Sequence, residues 1–213
     1  MTPSTYRPLR PEQFIGGART AAIQLQRAVA HAGTIGHEPL KFLCNGDPGI
    51  GKSALAAYFQ HLLGCNKWST TKYNGTQIKV EVVDDIAASL AYRSLFGDWR
   101  LLWIDEADRI PTVAQVRLLT VLDDLPAGVA ILCTSNCALK DFEPRFASRF
   151  QALVGPTNAS KLDAPSSQEI AGLLSLFTTD QNAINQIATF ACGNVRQALL
   201  DVQGLIQSLP LAA

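Results

Sequence analysis

Short apolar runs alternate with helix-spaced apolar positions along most of this chain, the pattern of a parallel α/β sheet with strands covered on both faces. Lys41-Phe42-Leu43-Cys44 reads as a short buried strand that leads straight into a glycine-rich turn, and Lys52 to Leu63 then reads as a helix. Leu101-Leu102-Trp103-Ile104 is a continuous apolar strand ending in acids, Val113 to Leu122 is helical, and Gly128 to Cys133 is another buried strand. Lys79 to Val83 fits a strand or a helix start, because so short a run does not separate the two periods.

The pattern changes after Val154. Gly155-Pro156-Thr157-Asn158 and Asp163-Ala164-Pro165-Ser166-Ser167 are rich in chain breakers, and only helical spacing follows. Ser166 and Ser167 are candidate helix caps with Glu169 just beyond, ahead of an apolar stretch through Phe177. Val195, Ala198, Leu199, Val202, Leu205, Ile206 and Leu209 fall on one helical face. The expected organisation is an α/β domain over residues 1–154 and a small all-helical domain over 155–213.

Composition narrows the class. With 213 residues, 47% hydrophobic and 17% charged, the chain can bury a core. No apolar run approaches the roughly 20 residues that span a bilayer, so no membrane role is expected. MTPSTYRPLRPEQF lacks the apolar stretch of a secretory signal, which implies the cytoplasm, at the nucleoid, or the nucleus in a eukaryote. The five cysteines lack the spacing of a zinc site and read as core filler in a reducing compartment. Eighteen basic and 18 acidic residues give a net charge of +0, so DNA contact has to come from a local patch or from an assembly.

The chemistry is concentrated in two places. Gly46-Asp47-Pro48-Gly49-Ile50-Gly51-Lys52-Ser53 matches G-x-x-x-x-G-K-[ST] between a strand and a helix. Glycines let backbone N–H groups turn around phosphate oxygens, and the helix start adds its positive dipole end. Lys52 is placed to reach the β- and γ-phosphates, and the Ser53 hydroxyl to ligate Mg²⁺; Ala54 follows as a further expected nucleotide contact. The second place is the end of the 101–104 strand. Ligands of open α/β sheets bind at that strand edge, so Asp105 is expected in the Mg²⁺ shell and Glu106 to polarise the attacking water.

With these motifs the chain resembles AAA+ ATPases, and the small subunits of sliding-clamp loaders such as replication factor C in particular. Tyr6-Arg7-Pro8 and Phe14-Ile15-Gly16-Gly17 are similar to that clade's opening segment, which implies Ile15 and Gly16 as adenine contacts. Lys72-Tyr73-Asn74-Gly75-Thr76 stands where the clade has its Leu-Asn-Ala-Ser strand end, and Asp105-Glu106-Ala107-Asp108 resembles its Walker B acids. Thr134-Ser135-Asn136 resembles sensor 1, with Asn136 orienting water. Gly193-Asn194-Val195-Arg196-Gln197-Ala198-Leu199 resembles sensor 2, which implies that Arg196 reaches the γ-phosphate from a helical lid. Ser148-Arg149-Phe150 is similar to the Ser-Arg-Cys motif, making Arg149 the implied arginine finger toward a neighbouring subunit, with Arg145 as runner-up.

The resemblance implies a P-loop parallel sheet flanked by helices, a helical lid, and ATP with Mg²⁺. It further implies ATP hydrolysis, weak in a monomer, by a ring or spiral of this chain or of related AAA+ subunits. DNA, a sliding clamp or a helicase are the implied partners, in DNA replication. No counterpart of the clade's collar domain is expected, and Val80-Glu81-Val82-Val83-Asp84-Asp85-Ile86 is acidic where the clade has a basic DNA-tracking helix. A nucleotide-gated helicase- or transposase-loading adaptor of a mobile element or virus is therefore the alternative expectation.

Overall fold

The computed structural model describes residues 2–92, 97–155 and 161–208. Five strands form one parallel sheet: β1 Leu40–Asn45, β2 Thr70–Asn74, β3 Arg100–Asp105, β4 Val129–Ser135 and β5 Gln151–Leu153. Their order across the sheet is β2-β3-β4-β1-β5, and every pairing is parallel. The chain therefore crosses from β1 to the far edge and returns strand by strand, which leaves β1 inside the sheet between β4 and β5, with its C-terminal end open to a ligand.

Side chains alternate across the sheet and fill two cores. Phe42, Cys44, Leu101, Trp103, Ala130 and Leu132 point to the side covered by α1 (Gly17–Thr34) and α2 (Lys52–Leu62). Leu43, Leu102, Ile104, Val129, Ile131 and Cys133 point to the other, with α3 (Val80–Leu90) and α4 (Thr112–Asp123). Burial on both faces explains why these strands read as unbroken apolar runs. The ambiguous segment from Lys79 resolves as helix: Val83, Ile86 and Leu90 are buried at helical spacing. Asp84 on this acidic helix pairs with Arg117 of α4 at 2.7 Å.

After β5, the short α5 (Pro144–Ala147) having preceded it, the described chain holds only helices: α6 (Ser167–Leu174), α7 (Gln181–Phe190) and α8 (Val195–Ser208). They enclose a separate small core of Ile170, Leu174, Ile184, Ala188, Ala191, Ala198 and Val202. Residues 156–160 of the breaker-rich joint, and Leu209 on the helical face, lie outside the described residues. Ser166 caps α6 reciprocally with Glu169. On α8 the expected apolar face is narrower than its spacing suggests, because Ile206 is exposed. The filler reading of the cysteines fits Cys44 and Cys133, which are buried, whereas Cys137 and Cys192 are exposed.

Two sections of chain tie the helical unit to the sheet. Ser4 N–H donates to Gln203 Oε1 at 2.9 Å, and the Tyr6 ring meets Phe177 edge-on at 5.8 Å. Gly17 N–H donates to Asp163 O and Leu162 N–H to Asn45 O. The helical unit thus sits over the C-terminal end of β1.

Candidate functional site

The turn after β1 is built for close backbone approach. Gly49 and Gly51 take φ values of 83° and 108°, a region open to glycine and costly for other residues. A side chain at Gly49 would also overlap Asn194, which lies against it. Arg196 N–H donates to Gly49 O at 3.1 Å, so the start of α8 rests directly on the loop. Lys52 Nζ, in the first turn of α2, donates to Gly46 O at 2.7 Å and Asp47 O at 2.8 Å. Burial lowers the Lys52 pKa, and nearby Arg196 pushes the same way against Cys44, Asp47 and Asp105.

Asp105 closes β3 on the α2 side of the sheet. Thr134 Oγ1 and Asp105 Oδ1 lie 2.5 Å apart, and Lys72 Nζ stands 3.7 Å from Asp105 Oδ2. Glu106 follows in a left-handed conformation, φ 52° and ψ 49°, which turns the chain sharply at the sheet edge. Such backbone is uncommon outside glycine and asparagine. The turn is possible because Gly75 leaves room: a Cβ there would overlap the Glu106 carbonyl oxygen. Glu106 Oε2 accepts from Asn74 Nδ2 at 3.1 Å.

The loop after β1 and the end of β3 open on one cavity of about 860 Å³. Pro48, Gly49, Ile50, Gly51, Lys52, Ser53 and Ala54 line it, with Asp105, Glu106, Asn136 and Arg196. Gly46 and Asp47 are not among the lining residues; Asp47 instead pairs with Lys161 at 3.4 Å. Ile15 lines the wall of the cavity with Tyr6, Arg7, Pro8 and Phe14, and Leu173, Val195, Leu199 and Leu200 line it too. These mostly apolar side chains suit a flat base, while the loop suits phosphates. Gly16 lies behind this wall, its N–H donating to Glu169 Oε1 at 2.9 Å. Ser53 and Asp105 contribute a hydroxyl and a carboxylate, hard oxygen donors of the kind Mg²⁺ takes.

Arg149 and Arg145 lie apart from this cavity. Arg149 makes a two-point contact with Asp123, 3.1 Å from Nε to Oδ1 and 3.0 Å from Nη2 to Oδ2, and Arg145 pairs with Glu143 at 2.9 Å. Lys72, Trp103 and Thr134 line the cavity as well; the sequence motifs include them but give none of the three a role of its own. A signal existed for the first two: positions two apart on a strand share a face, so Trp103 accompanies Asp105 and Lys72 accompanies Asn74.

No family model matches the chain. It is 31% identical over 128 residues to the Holliday junction branch migration complex subunit RuvB of Saccharopolyspora erythraea, matching 60% of this chain and 34% of that protein. It is 32% identical over 125 residues to the same subunit of Mycobacterium ulcerans, again 34% of that protein. The matched segment thus spans about a third of the curated relatives' length. Among solved structures, the RuvB Holliday junction branch migration motor of Thermotoga maritima superposes with a TM-score of 0.70 at 24% identity, covering 91% of this chain and 63% of that one. A DNA polymerase III gamma subunit-related protein from Thermotoga maritima superposes with a TM-score of 0.58 at 14% identity, covering 80% of this chain and 56% of that one. At these identities the likeness speaks to architecture alone: a five-stranded parallel sheet flanked by helices and followed by a helical region, as in the Thermotoga maritima RuvB motor.

Proposed function

We propose that this chain binds ATP with Mg²⁺, hydrolyses it, and works as an oligomer that remodels DNA or a DNA-bound assembly. The observation that carries the reading is convergence: Lys52, Ser53, Asp105, Glu106, Asn136 and Arg196 come from sequence-distant segments and line one cavity. In that cavity Lys52, the loop N–H groups and Arg196 bind and orient the triphosphate. Ser53 and Asp105 would hold the metal ion, which supplies charge neutralisation at the phosphates. Glu106 takes the proton of the attacking water, and Asn136 orients that water. Arg149, outside the cavity and near its own Asp123, is the group a neighbouring copy would receive.

The sequence likeness to RuvB proteins favours branched DNA as the substrate over a clamp. Clamp loading in replication is the second reading, supported by the Tyr6-Arg7-Pro8, Asp105-Glu106-Ala107-Asp108 and Arg196 motifs. The deciding experiment measures ATP turnover against protein concentration, alone, with a four-way DNA junction, and with primed DNA plus a sliding clamp. Turnover that climbs with concentration and is stimulated by the junction is the expected result. Stimulation only by primed DNA with clamp would replace the first reading by the second, and absence of any turnover would overturn both.

A further inference from the structure

The cavity holds a second ammonium group for which the phosphate-loop chemistry has no role. In the β2–β3 register Lys72 lies opposite Trp103, and Asn74 opposite Asp105. Lys72 Nζ sits 3.7 Å from the centre of the Trp103 ring and 3.7 Å from Asp105 Oδ2. The Trp103 side chain is almost fully packed, 9% exposed, so its ring is a fixed seat for the cation. Lys52, the lysine of the loop, is turned the other way, toward the Gly46 and Asp47 carbonyls. The cation nearest to the expected metal carboxylate is therefore Lys72.

We propose that Lys72 is a positioning residue, a tethered counter-cation of Asp105 that competes with the divalent ion for this carboxylate. The inference rests on the nucleotide reading above. Two opposite effects follow from one contact. When no divalent ion is supplied, the ammonium offsets the repulsion between Asp105 and the phosphates, so nucleotide still binds. When Mg²⁺ is supplied, the ammonium has to yield the Oδ2 side of Asp105, which weakens the metal's contribution. Lys72 thus holds down the ratio between nucleotide affinity with Mg²⁺ and affinity in chelator.

Calorimetric titration of the full chain with a non-hydrolysable ATP analogue, in Mg²⁺ and in EDTA, measures that ratio directly. Lys72→Met is expected to raise it about 1.5-fold to fivefold, the range set by a partly exposed ion pair, by weakening metal-free binding and strengthening metal-dependent binding. Lys72→Arg keeps a cation over the ring and is expected to stay near the parent. Lys72 is half exposed on an edge strand; should the Met variant still fail to fold by circular dichroism, Lys72→Gln carries the same expectation. An unchanged or smaller ratio in the neutral variant overturns the proposal, and so does weaker binding in Mg²⁺, which would make Lys72 a phosphate contact. If the parent itself takes up no nucleotide in Mg²⁺, the nucleotide reading fails and this inference fails with it; a binding parent with an unresponsive variant refutes only the role of Lys72.

Discussion

The Asn74 side-chain amide donates to Glu106 Oε2 at 3.1 Å, bridging the ends of two neighbouring strands. Glu106 is exposed and sits on a left-handed turn, so this amide is the one fixed point recorded for its carboxylate among the described residues. A water-activating group has to be aimed before its basicity matters. Asn74→Ala is therefore expected to lower kcat about tenfold while nucleotide affinity stays within about twofold. Steady-state turnover and equilibrium nucleotide binding on the same preparation check it; a parallel loss of both would mean that the turn, not the aim, had been damaged.

Glu106→Gln keeps the shape of the turn and removes the proposed proton acceptor. Turnover is expected to fall about 10²–10⁴-fold with ATP binding retained. A single-turnover assay with pre-bound ATP separates the chemical step from binding, and hydrolysis at the parental rate would remove Glu106 from the mechanism.

Arg149→Ala tests action between copies. A guanidinium supplied in trans contributes about 10³–10⁵ in rate, so concentrated variant protein is expected to turn over like dilute parent. Because Arg149 lies outside its own cavity, nucleotide affinity of the dilute protein should not move. Mixing Arg149→Ala with Glu106→Gln subunits should restore part of the activity, since each supplies what the other lacks.

Gly49→Ala is expected to destabilise the protein by about 1–3 kcal/mol. The φ of 83° disfavours any side chain, and the added methyl would push Asn194 away from the loop. Denaturant unfolding measures the cost. A variant as stable as the parent would mean that the helical unit does not rest on the loop in solution.

Glu169 makes a pH-dependent link. Burial pushes its pKa up, but the Ser166 and Gly16 N–H groups, the Ser166 hydroxyl and Arg19 together bring it below the ordinary 4.5. The folded state therefore prefers the carboxylate, so its contribution is complete above the unfolded-state pKa and disappears as pH falls through the lower folded value. Between neutral pH and about pH 3, the parent should lose more thermal stability than Glu169→Gln, by about a few degrees given its exposure. Equal losses would remove Glu169 as a contributor.

Much of this arrangement is legible in the residues because it depends on local rules. Phe42-Leu43-Cys44 and Leu101 to Ile104 had to be buried strands, and Gly46 to Ser53 has one common use between a strand and a helix. Ser166 and Glu169 announced the start of α6. What resisted was set by pairing across the chain. β5 is only three residues long, Gln151–Leu153, and exists because β1 offers it an edge. The seat of Lys72 over Trp103 depends on the β2–β3 register, which no short window of sequence contains. The pairing of Arg149 with Asp123 joins the end of α4 to the segment after α5, again a matter of packing.

The cavity is lined by residues of the leading segment such as Tyr6 and Ile15, by strand residues such as Lys72, Trp103 and Thr134, and by Leu173, Val195, Leu199 and Leu200 of the helical unit. No one of these three pieces makes a pocket alone. A bound nucleotide would consequently act as a staple across all of them: its binding energy would be spread over the leading segment, the sheet and the last helix, and melting of any of the three would require its release.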